Sequence, residues 1–126
     1  LFGFGDGRAA WAQPAAATVS AEDVQEAIDG AIKYLFGQQN SNNGTWPGYD
    51  EYSSGHTALV VLALLNAGVE PDHLKLKNSL NYLRRIEPKK IYEASLQVMV
   101  FVAASPKRDL ARIQRLCEAL QDAQHK

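Results

Sequence analysis

Tyr34-Leu35-Phe36-Gly37-Gln38-Gln39, followed by Asn43-Gly44-Thr45-Trp46-Pro47, is the stretch in which the chain passes from a helix into an aromatic loop. Upstream, Val24, Ile28, Ala31, Ile32 and Leu35 recur at helical spacing and form the apolar stripe of an amphipathic helix. Ser20 stands ahead of that stripe with Asp23 three residues on, close to a capping box, and acidic groups at this end suit the helix dipole. Asn40-Ser41-Asn42-Asn43-Gly44 is a run of turn formers, prolonged by Pro47 and Gly48. The stretch therefore predicts a first helix from Ser20 to about Gln39 and an ordered loop reaching Ser54.

Beyond the loop, His56 to Ala67 is apolar nearly all round, the composition of a helix enclosed by neighbours. Gly68 and Pro71 stop it, the glycine suited to a left-handed C′ position. A third helix, about Asp72 to Ile86, has Leu76, Leu80 and Leu83 on one stripe, with Lys75, Lys77, Arg84 and Arg85 toward solvent. After Glu87-Pro88 a fourth, about Lys90 to Ala104, returns to the enclosed composition; its β-branched residues suit a strand, but its length and flanking alanines favour helix. Ser105-Pro106 supplies an N-cap and first position for a fifth, whose Leu110, Ile113, Cys117 and Leu120 form a stripe opposite Arg108, Arg112, Arg115 and Asp122. Amphipathic and enclosed helices thus alternate, as in two shells of helical hairpins. The fold class expected is all-α, an α-solenoid or closed α/α ring.

The chain also repeats. Leu35 lies four residues before Gln39 and Leu120 four before Gln124, a separation of 85 residues. Two hairpins in that distance make a unit of about forty residues, within the range of helical-hairpin repeats.

The motif at 34–47 resembles the QW repeat of the squalene/hopene cyclase and protein prenyltransferase superfamily: aromatic, Leu, three residues, Gln, a short spacer, Gly-x-Trp. Thr57-Ala58-Leu59 to Asn66-Ala67-Gly68-Val69 looks like the inner helix after the motif. Leu80-Asn81-Tyr82-Leu83 and Tyr92-Glu93-Ala94-Ser95-Leu96-Gln97 look like the next outer and inner pair. The likeness covers about residues 20 to 126. It implies five helices of an incomplete (α/α)6 ring over 18–126. It implies a structural role for Gln39, Gly44 and Trp46, the amide tying down backbone groups at a helix end beside the indole, and makes Gln124 the Gln of a second motif. Simple physics agrees, since helix ends leave orphan polar groups and Trp joins large apolar area to one N–H.

Catalytic residues are not expected. The chain has no Asp-x-Asp-Asp acid motif, no Asp-rich diphosphate motif, no zinc trio, no phosphate loop and no Ser/His/Asp order. Asp50-Glu51 reads as solvated loop carboxylates rather than a metal site. His56, Tyr92 and Glu93, at the starts of the two enclosed helices, are candidates to face a central cavity, weighed against plain capping and packing. The expected function is a non-catalytic binding or assembly domain in a larger exported protein, with its remaining repeats or a partner domain covering apolar edges, and an apolar isoprenoid lipid as possible ligand. The alternative is a terpenoid cyclase or prenyltransferase whose catalytic motifs lie elsewhere; a carbohydrate-active toroid with paired carboxylates ranks last.

Composition narrows partners. Thirteen basic against fourteen acidic residues leave a formal charge of −1, without the basic, aromatic-interleaved run of a nucleic-acid groove. The longest apolar run, Ala58 to Leu65, is too short to span a bilayer. The single Cys117 forms no internal disulfide, and no Cys/His cluster has metal-ligand spacing, so no metal or cofactor is expected. Residues 1–17 read either as a signal-peptide remnant, with Ala10-Trp11-Ala12 as cleavage site, or as an Ala-rich disordered leader. The first reading implies periplasmic or secreted location, the second a cytoplasmic one.

Overall fold

A computed structural model describes residues 18–48 and 53–125; the leader expected over 1–17 and the Asp50-Glu51 pair lie outside the described residues. The described residues form five helices and no strand: α1 (Ala21–Gln38), α2 (Ser53–Asn66), α3 (Leu74–Arg85), α4 (Ile91–Ala104) and α5 (Leu110–Gln124). The all-α class with five helices is therefore shown. The chain divides into two compact units, 1–31 and 32–126, with α1 running across the boundary.

In the first unit the reciprocal cap is formed: Ser20 N–H donates to Asp23 Oδ2 and Asp23 N–H to Ser20 Oγ, each across 3.0 Å. Two of the donors that a helix start leaves unpaired are thereby satisfied. No residue of α1 is buried.

In the second unit α2 packs most extensively on α4, with α3 against α2 and α5 against α4. The two helices of enclosed composition are thus neighbours, each flanked by an amphipathic one. Ala58, Val61 and Leu64 of α2, Leu76, Leu80 and Leu83 of α3, Val100 and Phe101 of α4, Leu116 of α5 and Trp46 form one buried cluster. Each large side chain so buried contributes about 1.5–3 kcal/mol of transfer free energy, which is what fixes the helices side by side. α2 ends in a Schellman motif: Val69 N–H donates to Leu64 O and Gly68 N–H to Leu65 O, with Gly68 at φ 96°.

Three details differ from the sequence reading. Arg84 does not point to solvent; its side chain is 12% exposed and paired with Asp109. The buried face of α5 is carried by Leu116 with Ile113 and Leu120, while Leu110 and Cys117 are exposed. Arg112, expected opposite the stripe, instead lies over the Phe101 ring of α4, 5.6 Å from its centroid, and its Nη2 reaches Arg84 O of α3. Finally, Ser105 closes α4, its N–H donating to Phe101 O, and α5 opens only at Leu110 after a turn.

Candidate functional site

Three joints hold the second unit together, and they place Gln39, Gly44, Trp46 and Glu93 among the residues singled out in the sequence. The first joins the end of α1 to the start of α3. A helix C-terminus leaves its last carbonyls without intrahelical partners, and here they find donors from outside: Trp46 Nε1 donates to Leu35 O across 2.6 Å and Lys75 Nζ to Phe36 O across 3.3 Å. Gln39 Nε2 donates to Ser79 Oγ at 2.8 Å, Lys75 O at 2.9 Å and Gly44 O at 3.3 Å, bridging the loop to α3. The Phe36 and His73 rings stack at 4.7 Å beside it. Asn40 and Asn43 shape the loop by accepting from Asn42 N–H and Thr45 N–H. Gly44 sits at φ 75°, and a Cβ there would lie 2.7 Å from Asn78 C and Ser79 N, backbone atoms of α3. Both the dihedral and the close approach demand glycine. Gln124, at the end of α5, is exposed.

The second joint couples the starts of α2 and α4. Glu93 is 4% exposed, and its carboxylate accepts from the Ser54 hydroxyl and from Lys89 N–H and Lys90 N–H, each amide at 3.0 Å. Burial alone would raise its pKa; the Ser54 hydroxyl and the amides of Lys89, Lys90 and Gly55 outweigh it and hold the carboxyl below its ordinary value. One anion thus caps its own helix and ties it to the next. Gly55 permits the approach, since a Cβ there would meet the Tyr92 ring at 2.7 Å. His56 is exposed and packs on Gly48; Tyr92 is about half exposed. The three cavity candidates therefore lie together at neighbouring helix starts, with Glu93 turned inward as a cap and His56 and Tyr92 on the surface.

The third joint, between α3 and α5, was invisible in the sequence. Asp109, 1% exposed, accepts from Arg84 Nε and Nη2, from Arg112 Nη1 at 2.7 Å and from the Ser105 hydroxyl. Burial pushes its pKa up, but the Arg84 and Ser105 hydrogen bonds and both arginine charges hold it below the usual value. Arg112 Nη2 also reaches Arg84 O, so an arginine serves the end of α3 as Trp46 and Lys75 serve the end of α1.

These joints leave one largely apolar flank open on each of the two enclosed helices. On α2, His56, Leu59, Ala63 and Asn66 form an exposed stripe; on α4, Tyr92, Met99 and Val102 form another. Leu59 is 47%, Met99 52% and Val102 51% exposed. The stripes start side by side, because the Tyr92 ring lies against Gly55. Helices of uniform apolar composition are therefore each uncovered along one flank, as surfaces awaiting a partner are. Among the described residues no group of three His, Cys, Asp or Glu side chains has the arrangement of a metal site, and no helix is long and apolar enough to cross a membrane. No protein-family model matches the chain, nor does any curated protein or solved structure.

Proposed function

We propose that the chain is a segment of a QW-type α/α toroid that serves as a non-catalytic binding or assembly domain of a larger, exported protein. The observation that carries this reading is the exposed apolar flank of α2 and α4, with Leu59, Met99 and Val102 each about half exposed on helices that are otherwise the heart of the core. Such a flank calls for a cover: further helical hairpins, a partner domain or an apolar isoprenoid lipid. Support also comes from the Gln39, Gly44 and Trp46 joint, whose bonds are of the kind a QW clamp requires. Glu93 is buried, its carboxyl is held below its ordinary value and its oxygens are taken up by the Ser54 hydroxyl and the Lys89 and Lys90 amides, which suits a structural rather than an acid-catalytic role. Export rests on the Ala10-Trp11-Ala12 pattern alone.

Sedimentation velocity on the isolated chain tests the reading. Concentration-dependent association is expected, weakened by Leu59→Glu together with Val102→Glu; a chain that stays monomeric at every concentration contradicts it. A second reading, an isoprenoid-converting enzyme with its acid motif elsewhere, draws on the same apolar flank as cavity lining. An Asp-rich motif in the complete reading frame would favour it over the first.

A further inference from the structure

A cleft of about 260 Å³ opens between α3 and the turn that follows α4, lined by Asp72, Lys77, Asn81, Arg84, Ser105 and Arg108 among others. Lys77, Asn81 and Arg84 follow one another at spacings of four and three, so one side of α3 presents all three. Arg84 is not free to swing. Asp109 holds its Nε and Nη2, and Asn81 Oδ1 accepts from its Nη1 at 3.2 Å. That contact also orients the Asn81 amide, whose nitrogen must point the other way. Lys77 and Arg108 make no ion pair among the described residues, and both are exposed. The acids nearby do not cancel them. Asp109 is buried behind the cleft and already shared between Arg84 and Arg112, which leaves Asp72 as the acid in the lining. Cations are therefore in excess in a concave site with a fixed guanidinium in its lining, the arrangement that favours a compact, multiply charged oxyanion.

We propose that this cleft binds a phosphate or sulfate group, with Lys77 and Arg108 supplying the charge and the Asn81 amide a directed donor. The site uses none of the exposed stripe residues of α2 and α4, so it stands apart from the toroid reading.

Equilibrium dialysis of the full 126-residue chain against radiolabelled inorganic phosphate, at constant ionic strength in sodium chloride, tests it. Saturation near one phosphate per chain is expected. Lys77→Ala with Arg108→Ala should weaken the apparent affinity about tenfold or more, whereas Lys89→Ala with Lys33→Ala, which removes equal charge elsewhere, should leave it unchanged. Competition by sulfate at similar concentration supports recognition by charge and shape. Binding that never saturates, or that falls equally in both double variants, overturns the proposal. Displacement by methyl phosphate would identify an ester-borne group as an acceptable source, and failure of displacement would restrict the site to the free ion.

Discussion

Trp46 donates its indole N–H to the backbone carbonyl of Leu35 across 2.6 Å, placing the ring by the last turn of α1, while its backbone N–H donates to the Thr57 hydroxyl. A single side chain thus closes a helix end, fills the core beside α2 and fixes the loop that carries Gln39 and Gly44. Trp46→Phe keeps most of the buried area and removes only the donor, so it should destabilise by about 1–3 kcal/mol, the cost of a buried carbonyl left unpaired. Trp46→Ala should cost more, about 3–5 kcal/mol. Urea denaturation of both variants measures the difference; a Trp46→Phe chain as stable as the wild type would show that the indole N–H contributes nothing.

Gly44 is the position in the loop least able to change. Alanine there meets the α3 backbone at 2.7 Å and must also hold φ 75°, so Gly44→Ala should destabilise by about 3 kcal/mol through combined strain and displacement of α3. Gly37→Ala is the natural control, since nothing lies within 4 Å of a Cβ at that helical position. It should be neutral or stabilising, by up to about 1 kcal/mol. A Gly44→Ala chain as stable as the Gly37→Ala chain contradicts the close approach of loop and helix.

Asp109→Asn strands two arginines against one neutral amide and should cost about 3–5 kcal/mol, the range for removing one partner of a buried ionic cluster. The exposed Arg115–Glu87 pair offers a contrast, since both side chains are more than half exposed. Glu87→Gln should change stability by less than about 1 kcal/mol. Thermal unfolding of the two variants side by side decides whether burial separates their costs as expected.

Glu93 and Asp109 both have carboxyls held below their ordinary values. A depressed folded-state pKa contributes stability that is complete above the unfolded value, about 4, and is lost as the pH falls through the lowered folded value. The melting temperature should therefore be flat near neutrality and fall in acid below about pH 4. Glu93→Gln should lower the melting temperature at pH 7 and give a shallower acid limb, the two curves converging as the wild-type carboxyl protonates. Parallel curves would remove Glu93 from the acid transition.

The apolar periodicity made the helices legible, and Ser20 with Asp23, and Gly68 with Pro71, made two of their ends legible, because those signals are local. The role of Gly44 was accessible through the Gly-x-Trp spacing, although the reason for it, the backbone of α3, is a tertiary fact. Asp109 gave no signal. Its partners lie 25 residues upstream at Arg84 and three downstream at Arg112, and a lone Asp beside arginines in sequence looks like any solvated surface. The same blindness misplaced the α5 stripe, since the face that α5 buries depends on Arg84 of α3 and Phe101 of α4, which Asp109 and Arg112 contact. His56 and Tyr92 were legible as helix-start residues, but whether a start faces a cavity depends on what covers the α2 and α4 flank, which no local pattern encodes.

Met99 is the chain's single methionine and sits on that flank, 52% exposed, so its thioether reports directly on whether the flank is covered. Peroxide oxidation followed by mass spectrometry, carried out on the isolated chain and on the product of the complete reading frame, compares the two states. If the flank is a covered surface of a larger assembly, Met99 should oxidise readily in the isolated chain and about tenfold or more slowly in the complete product, as a shielded thioether does. Equal rates of oxidation in the two would contradict the account.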